Sequence, residues 1–345
     1  MPFNPVVIVA KGEKPEWYAS TAVHARADLR KSIWQLANTL VPYVLIFALM
    51  IVSVRQNQPY WLTLLLAVAA SALYIRIFIF FHDCTHGSFL PTPRWNRNLG
   101  YLCGILTFTP FHDWRRSHAG HHLSAGDLDR RGVGDIALMT VAEYASASPL
   151  KRIGYRLYRN PLLMFGIGPI YYFLLRNRWP RKGSKRMDKL SVLYTNLAIL
   201  GIMGAAGLTI GLKTYLLVQM PIALFSGPVG IWLFYVQHQF QGVYWARNAE
   251  WDPWRMAMEG ASHYQLPRML QWITGNIGYH HVHHMRPAIP NYNLQRCYED
   301  TPQLQQTKPI TLKASLDCLS LKLYDEEKRM MVGFKQSTPR EEGKE

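Results

Sequence analysis

Cysteine is scarce in this chain. Its four residues, Cys84, Cys103, Cys297 and Cys318, lie far apart and form no CxxC pair, which excludes a disulfide scaffold. Charge is also sparse. Asp, Glu, Lys and Arg make up 17% of 345 residues, against a usual ~25%. It is one-sided as well: 38 basic against 22 acidic residues leave a net +16. No GxGxxG fingerprint, HExxH pair or ferredoxin-type cysteine run is present, so a nucleotide site, a zinc hydrolase of that kind and a built-in iron–sulfur centre are unsupported. No interleaved aromatic–basic RNA motif occurs, and no nucleic-acid partner is expected. What is abundant is apolar: 49% hydrophobic and 13% aromatic residues exclude disorder. A mean hydropathy of only −0.06 fits apolar spans offset by basic loops.

The apolar residues are concentrated. Charge-free or nearly charge-free runs cover about residues 36–54, 60–81, 190–212 and 215–236, with Arg76 the one ionisable residue inside them. Each is long enough to cross a ~30 Å hydrocarbon core. Links at residues 55–59 and about 213–214 make two tight hairpins. Gln219, Pro221, Gly227 and Pro228 predict a kink in the fourth span. The first thirty-odd residues are polar, with Glu13, Glu16 and Asp28, and do not read as a cleavable signal. Residues 82–187 hold sixteen Lys/Arg against six Asp/Glu, while the hairpin links hold Arg55 and Lys213 alone. The positive-inside rule therefore places the middle segment and both termini in the cytoplasm. Shorter apolar stretches at 99–111 and 162–175 predict helices lying in the cytoplasmic interface. The expected fold is an all-α integral membrane protein: four transmembrane helices in two hairpins under a cytoplasmic helical cap. Residues 1–35 read as an N-terminal segment, 36–300 as one domain and 301–345 as a C-terminal tail, disordered from about Ser337.

Histidine is the most informative residue. Most of the thirteen fall in three clusters. His82 and His86 are i and i+4, on one helix face. His118, His121 and His122 are i, i+3 and i+4, and so are His280, His283 and His284. Between the second and third clusters the chain crosses the membrane twice, so all eight residues can meet on one side. Eight imidazoles exceed the capacity of one ion, which points to two metals of the type imidazole suits. The cap would thus hold a histidine-ligated dimetal site. His238 lies just past the fourth span, at the depth where His82 leaves the second, and the two can converge from opposite walls. His281 points about 100° away from His280 on a helix and is expected not to ligate. Asp83, Asp113 and Asp135 are candidates to accept hydrogen bonds from ligating imidazoles. His112 is a candidate for the surroundings of the site, and His24 and His263 read as surface histidines.

These motifs resemble the membrane fatty acid desaturase family over roughly residues 35–300. The matching stretches are FHDCTHGSF at 81–89, WRRSHAGHH at 114–122, FYVQHQF at 234–240 and TGNIGYHHVHHMRPAIPNY at 274–292. The resemblance implies a pair of irons held by His82, His86, His118, His121, His122, His280, His283 and His284, with His238 as a ninth ligand. Phe234 stands where the family has asparagine, which leaves a water-mediated ligand there without support. The implied reaction is O₂-dependent formation of a C=C bond in a long acyl chain. Its substrate would be an acyl lipid, or an acyl-CoA or acyl-carrier thioester, and its electrons would come from an external carrier such as ferredoxin or cytochrome b5. The HxxxH form of the first box is typical of acyl-lipid Δ12/ω-6 enzymes; a Δ5-type or sphingolipid desaturase stays open. The implied location is a bacterial inner membrane, or the endoplasmic reticulum in a eukaryote. Two other readings remain. One is a hydroxylase on the same scaffold. The other is a metal-ion transporter, although transporters keep ionisable residues within their spans. The basic cytoplasmic face suits either an acidic carrier or anionic lipid.

Overall fold

The computed structural model describes residues 12–132 and 134–337; the disorder expected past Ser337 lies outside them. The first hairpin is α1 (Leu29–Arg55) and α2 (Tyr60–His86). Four helices follow: α3 (Pro93–Leu106), α4 (Phe111–Ser124), α5 (Val141–Ser146) and α6 (Pro149–Tyr158). The second hairpin is α7 (Arg186–Thr209) and α8 (Leu212–His238), and α9 (Pro253–Glu259), α10 (Arg268–Ile273), α11 (His280–Met285) and α12 (Asn291–Asp300) follow in the cap. Among the described residues α1, α2, α7 and α8 are long and apolar enough to cross a membrane. α2 is the central one, packed against α1 and α8, while α7 packs on α8.

Local chemistry sets the helix ends. The Asp28 carboxylate caps α1 by accepting from the backbone N–H groups of Arg30 (2.9 Å) and Lys31 (3.2 Å), so α1 starts a full two turns before its apolar run. Gly87 ends α2 at φ 74°, a left-handed position that glycine adopts without strain. The second hairpin turns earlier than the charge pattern suggests. α7 stops at Thr209, the turn is Ile210 and Gly211 (φ 86°), and Lys213 and Thr214 already belong to α8. Nor do residues 99–111 form one helix. α3 ends at Leu106, Phe108 takes φ 54°, and Pro110 precedes α4, because proline cannot continue a helix from the residues before it.

Several polar groups of the membrane helices find partners within the fold, as an apolar surround favours. Pro221 leaves the Leu217 carbonyl of α8 without its helical donor, and the Tyr60 hydroxyl supplies one at 2.9 Å. Ser71 of α2 donates to the Ile222 carbonyl of α8 at 3.1 Å. Arg76 is buried; its Nε donates to Thr39 Oγ1 at 3.0 Å, and the guanidinium also reaches the Trp272 carbonyl and lies 4.1 Å from the Trp272 ring. It thereby ties α1 and α2 to α10 of the cap.

Residues 162–175 form wide helical turns packed along α8, with Phe165 against Trp232 and Pro169 against Gly227. Residues 301–337, read from the sequence as a tail, fold back onto the cap through short strands. β1 (Met139–Thr140) lies beside β4 (Leu323–Asp325), which also pairs with β5 (Met330–Val332). β2 (His263–Gln265) pairs in parallel with β3 (Pro309–Thr311). Buried Arg159 fastens this return. It donates to the carbonyls of Leu321 (2.9 Å) and Ala137 (3.1 Å) and to Gln239 Oε1 (2.9 Å). Alternation too short to read as strands, two or three residues each, is why these pairings escape a sequence reading.

Candidate metal centre

α2 and α8 pack side by side and end at His86 and His238. α4 and α11 lie across these ends and bring the other imidazoles inward. The result is two groups. In one, the ligand-capable nitrogens of His82, His86, His118, His122 and His283 lie within 4.8 Å of one another; in the other, those of His121, His238, His280 and His284 do. The HxxHH motifs are split between them. α4 gives its i and i+4 residues to the five-membered group and its i+3 residue to the other; α11 does the reverse. Each short helix therefore serves both groups.

The separations fit metal ligation. Nε2–Nε2 distances are 2.9 Å for His118–His82, 3.2 Å for His122–His118 and 3.0 Å for His283–His122. In the other group they are 3.0 Å for His121–His238, 3.0 Å for His238–His280 and 3.1 Å for His284–His280. Two nitrogens about 2.1 Å from a common ion and roughly 90° apart stand about 3 Å from each other. His86 Nε2 is buried in the first group with no hydrogen-bond partner, a donor atom that an ion would satisfy. Burial, reinforced by the neighbouring imidazoles, holds His118, His122, His280, His283 and His284 well below the ordinary histidine range. They are therefore neutral, the form that binds metal.

The opposite ring nitrogens fix the tautomers. His82 Nδ1–H donates to Asp83 Oδ1 at 3.1 Å, and Asp83 Oδ2 is itself held by the backbone N–H (2.7 Å) and side chain (2.9 Å) of Asn291. His121 Nδ1–H donates to the Asp135 carboxylate, and His238 Nδ1–H to the Gly260 carbonyl at 3.1 Å. Each bond turns Nε2 toward its group. Trp114, four residues before His118 on α4, stacks on its ring at 4.4 Å and 23°. That i, i+4 spacing was the available sign of Trp114; Gly260 and Asn291 left none. Phe234 lies against both His121 (5.2 Å) and His238 (5.5 Å), an apolar wall where the family asparagine would stand.

Two other candidates, Asp113 and His112, lie elsewhere, as does His281, which was expected not to ligate. Asp113 meets no imidazole of either group: it accepts from the Arg181 backbone (3.2 Å) and guanidinium and from Ser184 Oγ (3.0 Å). It faces away from the groups and anchors residues 181–184. His112 packs against Phe111 and Tyr101 and belongs to neither group. His281 Nε2–H donates to the Leu304 carbonyl at 3.1 Å, away from its neighbours in the motif. His24 and His263, expected at the surface, are buried. The Glu16–Ala25 segment packs on α12, so the His24 carbonyl accepts from Asn293 at 3.0 Å. His263 on β2 stacks on Tyr279.

Two histidine-lined groups at the ends of apolar helices form a site that could hold metal ions beside a membrane. The comparisons agree: residues 59–311 match the family described as Fatty acid desaturase. The chain is 46% identical to a fatty acid desaturase of Bacillus subtilis (strain 168) over 314 residues, 91% of this chain and 89% of that protein. It is 26% identical to the sn-1 oleoyl-lipid 12-desaturase of Synechocystis sp. (63% of this chain, 62% of that protein). It is 27% identical to that organism's sn-1 acyl-lipid omega-3 desaturase (ferredoxin) (66% and 64%). The chain belongs to the fatty acid desaturase family, a family of oxidoreductases. That membership sets the transporter reading aside.

Proposed function

We propose that this protein introduces a C=C bond into a long, lipid-linked acyl chain, with Δ12/ω-6-like regiochemistry. His82, His86, His118, His122 and His283 would hold one iron, and His121, His238, His280 and His284 the other. When bound, the irons supply the oxidising power to remove two hydrogens from adjacent methylenes. In balance, the –CH₂–CH₂– unit, O₂, two electrons and two protons give –CH=CH– and two waters. An unactivated C–H offers no handle for side-chain acid–base catalysis. The chain's own residues therefore position and enclose. Asp83, Asp135 and the Gly260 carbonyl hold ring orientation, while Phe234 and Trp114 keep water from the ring faces. Electrons would come from an external carrier. Both groups and both termini would face the cytoplasm.

The observation that carries this reading is the five-plus-four division of nine histidines, eight buried and His86 half-buried, at the ends of α2 and α8. The names of the two Synechocystis relatives support an acyl-lipid substrate and a ferredoxin-type donor. The test is lipid profiling of a bacterial host expressing the gene, with double-bond positions read by gas chromatography and mass spectrometry. A new cis-diene or monoene at a Δ12-type position is expected. An alcohol instead of an alkene would establish the hydroxylase, and a double bond elsewhere would overturn the regiochemistry alone.

A further inference from the structure

The cap carries a second surface unrelated to the histidines. Residues 144–187 contain ten Lys/Arg and no Asp or Glu. Within them α6 is amphipathic, but its apolar stripe faces outward. Leu150, Ile153 and Leu157 recur at i, i+3 and i+7 and are 80%, 55% and 53% exposed, and Leu162 just beyond is 82% exposed. The side of α6 that packs inward is the other one. Tyr155 is buried, donating from its hydroxyl to the Lys322 carbonyl at 2.5 Å and accepting from the Met139 N–H at 3.2 Å. On a helical projection Lys151 and Arg156 border the apolar stripe on its two sides.

We propose that α6 and the turns after it form a docking surface for the anionic phospholipids of the leaflet on the cap side. The apolar stripe would be seated among the acyl chains, with Lys151 and Arg156 at the phosphates. The occupant follows from continuity and charge. The stripe runs directly into residues 162–175, whose Phe165 and Pro169 pack along α8 beside Trp232 and Gly227. Their outer side chains, Ile167, Tyr171 and Leu175, are exposed. The exposed face of α6 is thus one sheet of surface with the lipid-facing side of a membrane-spanning helix. An amphipathic helix with basic flanks binds such an interface through its buried apolar area and its attraction to acidic headgroups. An acidic protein carrier would meet the same charges but would leave Leu150, Ile153, Leu157 and Leu162 in water. Arg159 makes the seat rigid. At the end of α6 it bonds Gln239, the residue after His238, so the height of α6 in the leaflet fixes the height of the α8 end.

The test uses the full-length, metal-loaded protein in lipid nanodiscs. All four native cysteines are buried, so a Leu157→Cys variant can be labelled with bimane at that site alone. Lipids brominated on the acyl chain should quench the label strongly. Nanodiscs containing about one third phosphatidylglycerol in phosphatidylcholine should show that lipid enriched around the protein, by native mass spectrometry. Lys151→Gln/Arg156→Gln should lower the relative affinity for phosphatidylglycerol over phosphatidylcholine by about tenfold or more, and so bring the bound lipid back toward the bulk composition, since each basic residue beside an anionic surface contributes roughly fivefold. Circular dichroism and metal content should stay unchanged. An unquenched label overturns the proposal whether or not the double variant folds. So does equal enrichment in both proteins, or a label shielded only when an acidic electron carrier is added.

Discussion

His122 and His284 stack face to face, their ring centroids 4.2 Å apart at 26°, yet they belong to different groups. The two candidate ion positions are therefore joined through a shared wall of imidazoles, and loss on one side should be felt on the other. Purified wild-type protein should hold about two irons per chain. His118→Ala should lose iron from the five-membered group and His280→Ala from the four-membered one. In each case metal should fall toward one or fewer per chain, and desaturation should drop more than 100-fold, roughly 3 kcal/mol of barrier. Elemental analysis and product assay check this. Full activity in either variant, or zinc in iron-replete preparations, would contradict the assignment.

His238 and His281 make a sharper pair. His238 lies outside every motif but sits 3.0 Å, Nε2 to Nε2, from both His121 and His280. His281 lies inside a motif but turns to the Leu304 carbonyl. His238→Ala should abolish desaturation. His281→Ala should keep a substantial part of it and lower thermal stability by about 1–3 kcal/mol, because the Leu304 carbonyl loses its donor. An active His238→Ala with an inactive His281→Ala would mean the ninth ligand has been misassigned.

Orientation can be read from the hairpin turns. Asn57 and Lys213 flank the two tight links. Single cysteines placed there should react with a membrane-impermeant maleimide added to intact cells, while one at Gly183 should not. The inverse labelling pattern would place the histidine groups on the outer side.

His263 supplies a pH dependence apart from the metal. Burial holds its imidazole down to about 4, below the ordinary ~6.5. The unfolded chain therefore takes up the proton first, and stability falls as pH drops from about 6.5 toward 4, by about 1.4 kcal/mol per pH unit for this group. Above about 6.5 the group has no effect. His263→Phe, which can keep the stack on Tyr279, should flatten this acid limb in melting curves taken from about pH 7 to 5. An unchanged slope would show that another group governs it.

The parts of the fold that depend on long runs were legible: four apolar helices, their pairing, and histidines spaced on single helix faces. The parts that depend on local backbone detail were not. Gly211 moved the second turn by taking a left-handed φ, and Phe108 and Pro110 divided one expected helix into α3 and α4. Within the site, periodicity located the imidazoles but could not say which ones share an ion. A single helix face i, i+3, i+4 is divided between two groups only when a second helix crosses it, and crossing is a tertiary fact. The same limit misplaced Asp113, whose carboxylate is near the second motif in sequence but is turned outward to Arg181 and Ser184. It also hid His24 and His263, which are covered by segments distant in sequence.

The interleaving of the two groups has a consequence for how the protein is made. Both α4 and α11 contribute to each group, so neither set of nitrogens is complete until α11 has been synthesised, through His283 for one and His284 for the other, and the second hairpin has entered the membrane. A ribosome that stalls in α8 leaves His82, His86, His118 and His122 assembled but short of His283, and His121 without any of its partners. Metal insertion would therefore be a late event in biogenesis, and a truncated chain would present an open cluster of imidazoles to whatever ion the cell offers.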